Sequence, residues 1–149
     1  MSDIWTPHLT VAAIIERDGR FLMVEEAPDG VSVFNQPAGH VEENEFIHAA
    51  VIREVLEETG CHFTAEAITG IYRWRSPRNA VTYLRIAICG QCTEPTEAME
   101  LDPDIINTHW FTMDELRERN MQLRSPLVMR GFEDYLRGQR YSLDLVQEL

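Results

Sequence analysis

Residues 39–61, Gly39 to Cys61, constrain this chain more than any other stretch. No glycine or proline lies between Ala49 and Glu58, Asn44 is a candidate N-cap, and Gly60 stands where a helix commonly ends in a left-handed residue, so a helix is expected near 45–59. At about 100° per residue, Glu54, Glu57 and Glu58 fall within an arc of roughly 100° on the last two turns. Three carboxylates so close raise one another's pKa, and they meet the unfavourable end of the helix dipole. A hard divalent cation removes that conflict, because Mg²⁺ takes oxygen ligands and keeps waters and phosphate oxygens as the rest of its shell. For any single Glu-Glu pair, a solvated acidic face is the alternative.

The full pattern goes beyond a single pair. Gly39, Glu45, Arg53-Glu54, Glu57-Glu58 and Gly60 are seven fixed positions, with apolar Val55 and Cys61 at the expected places. At average usage of about 5 to 7% each, they coincide by chance less than about once in a million chains of this size. The pattern resembles the Nudix box, and the chain is similar to the Nudix hydrolases. Cys61 replaces the usual branched aliphatic, and a buried free cysteine is a small hydrophobe. His40, where a second glycine is frequent, bears on substrate more than on metal.

The resemblance implies a Mg²⁺-dependent hydrolase, with Mn²⁺ a possible substitute, acting on a nucleoside diphosphate linked to some group or on a related pyrophosphate. Glu54, Glu57, Glu58 and the Gly39 carbonyl would hold the metal, and Glu54 or Glu57 would take the proton of the attacking water. Arg53 would orient them, and Glu45 would be a supporting anion. Short pieces around Asn35 to His40, Leu123 to Val128 and Gly138 to Leu143 are similar to the NudJ-type bacterial phosphatases of the family. They imply attack on the terminal phosphorus and tolerance of pyrimidine pyrophosphates such as thiamin precursors. An ADP-ribose or other nucleoside diphosphate-sugar pyrophosphatase is the alternative, since Pro77 lies where those relatives carry a proline. A nucleotide sensor without hydrolysis is another, although such modules typically lose box acids and all are present here.

The length of 149 residues, with 44% hydrophobic and 26% charged, suits a single domain over 1–149 with a real core. The apolar run Leu9 to Ile15 ends at Glu16 and follows no basic residue, so it is neither a signal peptide nor a membrane span, and a cytoplasmic location is expected. A net charge of −12 argues against nucleic-acid or anionic-membrane partners and leaves a small-molecule nucleotide or pyrophosphate. Oligomeric state stays open between monomer and homodimer. All 13 basic residues are Arg, so any phosphate clamp beyond the metal is guanidinium, although compositional bias also explains the lack of Lys.

Strand and turn signals complete the architecture. Asp18-Gly19 between β-rich segments marks a hairpin over Leu9 to Glu26, and its first strand is apolar on both faces, hence central. An α/β/α sandwich around a central mixed β-sheet follows. Phe63 to Arg75 and Ala80 to Cys92 are expected as strands, with Ile105 to Phe111 the last. Thr112 and Glu115 form a capping box, and Pro126 opens a final helix to about Arg137. Candidate substrate residues are Arg85, a half-buried cation amid apolar neighbours, the pair Arg73 and Arg75, which is equally a solvated edge, and Asp104 and Arg124. Cys89-Gly90-Gln91-Cys92 has no second pair and opens no helix, so reduced thiols are expected.

Overall fold

Asp18 and Gly19 both take positive φ, 52° and 75°, which matches the twist of a tight hairpin and joins β1 (His8–Arg17) to β2 (Arg20–Glu26). The computed structural model describes residues 3–95 and 97–149. β1 and β2 pair only near this turn, Glu16 opposite Phe21 and Arg17 opposite Arg20, and then part to different neighbours. β1 lies parallel to β6 (Thr82–Thr93) from His8–Tyr83 to Ile15–Gly90, and it is antiparallel to the short β4 (Ala38–His40). β6 in turn pairs antiparallel with β5 (His62–Arg75), while β2 takes β3 (Val33–Asn35) and β7 (Ile105–Thr112). The sheet is therefore mixed, with β1 central as its two apolar faces require.

Alternate side chains of β1 feed two cores. Val11, Ala13 and Ile15 pack with α1 (Ile47–Thr59) on one face. Ile14 packs with Leu116 of α2 (Met113–Glu118) and with Val128 and Phe132 of α3 (Pro126–Leu136) on the other. The α/β/α arrangement expected from the sequence is thus present. Among the described residues no helix is long and apolar enough to cross a membrane. Cys61, Cys89 and Cys92 are all free and buried.

α1 begins differently from the expectation. Its N-cap is Phe46, which offers no side-chain cap, and Asn44 instead sits at φ 65° in the turn before it. The Ile47 N–H is taken by the Glu148 carboxylate from the far end of the chain, a partner no local window reveals. The C-terminal segment that carries Glu148 is held down by the reciprocal Ile68 and Tyr141 backbone bonds, 2.9 and 2.7 Å, and by Leu143 and Val146 against the first core. At its other end α1 stops as expected, with Gly60 at φ 76° returning its N–H to Leu56 O.

The buried stripe of α1 runs Ile47, Ala50, Val51, Glu54, Val55, Glu58 at helical spacing. Burying each large apolar member contributes about 1.5–3 kcal/mol, so the stripe fixes the roll of the helix. Glu54 and Glu58 occupy positions on that stripe and are carried beneath the surface with it.

Candidate active site

β4 and the buried face of α1 meet at one wall of a cleft of about 800 Å³. Gly39 passes so close that a Cβ there would overlap the Glu54 carboxylate as it now lies and push it aside. Glu54 and Glu58 line the cleft and are 8% and 5% exposed, whereas Glu57 is outside the lining with its side chain 46% exposed.

Arg53 organises this wall. Its Nε and Nη2 donate to both oxygens of Glu45, at 2.7 and 2.9 Å, as a fork on a carboxylate. Nη1 donates to Glu54 Oε1 at 2.8 Å and Glu57 Oε2 at 3.1 Å, and Nη2 also reaches the His40 carbonyl at 3.0 Å. One guanidinium therefore ties the helix to β4 and sets two carboxylates at once. The hydrogen bond from Arg53 is the main reason the Glu45 carboxyl lies below its usual range. Burial raises the Glu54 pKa, with Arg53 opposing.

Glu58 receives none of this compensation. Its Oε1 accepts one bond, from the Ala38 N–H at 2.8 Å. Burial pushes its pKa up to about 9 against that bond, helped by the nearby carboxylates of Glu26, Glu54 and Asp102. Among the described residues no three His, Cys, Asp or Glu side chains are drawn together tightly enough to hold an ion as they stand, and Arg53 bonds one oxygen each of Glu54 and Glu57. The donor set nevertheless fits a hard divalent cation. It offers carboxylate oxygens with one buried acid uncompensated, and a backbone unit at Gly39 with no Cβ between it and Glu54.

The remaining sequence candidates are distributed unevenly. Asp104, Arg124 and Arg85 line the cleft, whereas Arg73 and Arg75 lie exposed on β5 and outside it. Arg73 instead sits over the Trp5 ring at 5.8 Å. Period-two alternation puts Trp74 on the opposite face from those arginines, so Trp74 lines the cleft and stacks on Tyr83 at 6.1 Å. Arg85 is buried, at 6% exposed, where half-burial was expected; it stands between Tyr72 of β5 and Thr10 of β1, on the central strands of the sheet. Glu26, Asn35 and Asp102 also line the cleft and were not proposed as site residues from the sequence. Only the Asp102 position carried a signal, an acidic loop just before the last strand; its N–H donates to Glu57 O at 2.8 Å.

The profile of the NUDIX domain matches residues 6–132, and the chain belongs to the Nudix family. It is 34% identical over 143 residues to the phosphatase NudJ of Escherichia coli strain K12, covering 96% of this chain and 92% of that one. Among solved structures, a NUDIX hydrolase from Nitrosomonas europaea superposes with a TM-score of 0.94 at 47% identity, over 97% of this chain and 98% of that chain. The NUDIX domain of Shewanella oneidensis NrtR, solved with ADP ribose, shares the fold with a TM-score of 0.71 at 13% identity, over 91% and 90% of the two chains. The protein is a Nudix hydrolase of phosphoric anhydrides, from a family that uses divalent metal ions.

Proposed function

We propose that the chain is a Mg²⁺-dependent hydrolase of nucleoside tri- and diphosphates and related small pyrophosphates that releases orthophosphate. The observation that carries the reading is Glu58: a buried acid with one hydrogen-bond donor, beside Glu54 and the Cβ-free Gly39, is a seat for a cation. Glu54, Glu57, Glu58 and the Gly39 carbonyl would hold the ion, with Mn²⁺ as a substitute. When bound, it neutralises phosphate oxygens and acidifies the attacking water.

The chain's own groups supply the rest. Water oxygen bonds to phosphorus, the bridging P–O bond breaks, and Glu54 or Glu57 takes the water's proton. Arg53 keeps both carboxylates oriented and is itself anchored by Glu45. Stacked Trp74 and Tyr83 at the cleft mouth offer a face to any aromatic ring, which favours loose demand on the base. The likeness to the phosphatase NudJ of Escherichia coli supports attack at the terminal phosphorus.

Hydrolysis in ¹⁸O-water tests the reading. Terminal attack places the label in orthophosphate and shows a transient diphosphate. Pyrophosphate as the first product of a triphosphate would mean attack at an inner phosphorus, and AMP from ADP-ribose at a higher rate than any orthophosphate release would favour the diphosphate-sugar alternative.

A further inference from the structure

A basic wall faces the carboxylates across the cleft. Arg85 is 6% exposed, with Nη1 donating to Gln36 Oε1 at 3.0 Å and Nη2 to Asn35 Oδ1 at 3.3 Å. Both acceptors are neutral amides. Its Nε is the sole buried side-chain nitrogen or oxygen without a partner among the described residues. A desolvated guanidinium bonded to no anion is costly, and a second cation, Arg124, adds to the cost.

Arg124 lies directly before α3 and lines the same cleft, where its Nη1 is paired with the mostly buried Glu26. The next residue, Ser125, caps α3. Its Oγ accepts from the Leu127 N–H at 3.2 Å, which leaves the hydroxyl proton free to donate. Ser125 and Leu127 border the cleft, so the positive end of the α3 dipole opens onto it.

We propose that Arg85, Arg124 and the N-terminus of α3 form an anion subsite for the terminal phosphoryl group of the substrate, with Glu26 as the counter-ion that this phosphate displaces from Arg124. That the ligand is a substrate phosphate rests on the hydrolase reading; that the subsite binds a tetrahedral oxyanion does not. Tyr83 and Arg85 share one face of β6, Tyr83 half-buried and Arg85 buried, so the stacked aromatics and Arg85 give the cleft a direction, ring outward and terminal phosphate inward.

Titration calorimetry of inorganic orthophosphate into chelator-treated protein at low salt is the test. Saturable binding is expected, weakened about ten-fold or more in Arg124→Gln and tightened several-fold in Glu26→Gln. Arg85→Lys keeps the charge but loses the fork, and is expected to weaken binding while still melting cooperatively. Arg78→Gln removes the same charge at the cleft mouth and should match the wild type. No saturable binding to the wild type, or unchanged affinity in folded Arg124→Gln, overturns the subsite. Orthophosphate binding in the expected pattern without hydrolysis of any anhydride keeps the subsite and sinks the hydrolase reading, whereas hydrolysis without such binding does the reverse.

Discussion

Two buried acids on opposite faces of the sheet meet opposite fates. Asp134 on α3 is 2% exposed and fully partnered: Tyr72 OH donates to it at 2.7 Å, Arg130 Nε at 3.0 Å, and Arg137 pairs with its other oxygen. Glu58 on α1 is 5% exposed and accepts one backbone N–H. Burial acts to raise both pKa values. The Tyr72 and Arg130 hydrogen bonds overcome it at Asp134, whose pKa falls, while at Glu58 burial wins and the pKa climbs to about 9. Asp134 fastens α3 to β5. Glu58 costs the fold stability that its neighbours do not return, and a buried acid left so poorly compensated in a cleft is a candidate for function.

The largest expected effect separates these acids by function. Glu58→Gln, and likewise Glu57→Gln, should leave the fold intact and lower turnover by about 10²-fold or more, because each removes a charge that would bind metal. Asp134→Asn should leave turnover near the wild-type value. Steady-state rates at saturating Mg²⁺ check both, and a fast Glu58→Gln enzyme would end the assignment of this wall as the active site.

Stability should rank the same residues in reverse. Asp134→Ala strips a half-buried hydroxyl and two guanidiniums of their acceptor and should destabilise by about 2–3 kcal/mol. Glu58→Gln without metal should be neutral or stabilising, since it removes a carboxyl whose ionisation burial and the neighbouring carboxylates oppose. Urea melts in chelator measure both. A larger loss at Glu58 than at Asp134 would invert the comparison.

The pH dependence carries opposite signs at the two sites. A carboxyl raised from 4.5 to about 9 contributes stability that is complete below about pH 4.5 and is lost as pH rises through 9, so metal-free protein should weaken across that window. Asp134, lowered from 3.8, contributes stability above that value and loses it as pH falls through its folded pKa. Melting temperatures in chelator from pH 5 to 9 should fall less steeply in Glu58→Gln than in the wild type. Parallel slopes would show that Glu58 ionises as it does in water.

What the sequence disclosed follows from how local each feature is. The Asp18-Gly19 hairpin, the Gly60 stop, the Thr112 to Glu115 capping box and Pro126 at the head of α3 each depend on a few neighbouring residues, and all are present. The acids of 39–61 were legible because one helix spaces them. Features made by distant segments were not. Asn44 has the chemistry of a cap, yet Glu148 occupies the helix N-terminus from about a hundred positions away. The face of β5 on which Arg73 and Arg75 stand is settled by its pairing with β6, which the residues alone left open. Glu26 and Asp102 join the carboxylate wall only because the end of β2 and the loop before β7 fold beside α1, and neither has a motif of its own.

The smallest effect bears on Asp134's own partners. Tyr72→Phe removes one hydroxyl from the Asp134 network and leaves the ring packed against the second core. The carboxylate keeps Arg130 and Arg137, so no charge is stranded, and the loss should be that of one charge-assisted bond less the partial relief of burying a hydroxyl, about 1 kcal/mol. The Asp134 pKa should rise toward its ordinary value, because the Tyr72 bond is the foremost of the interactions that lower it. Turnover should change little, since the hydroxyl removed is the one bonded to Asp134 and the ring that stands opposite Arg85 is kept. Denaturant melts and a carboxyl-resolved NMR titration read the two outcomes; a loss of several kcal/mol would mean that Asp134 depends on one donor as Glu58 does, and the contrast between the two acids would fail.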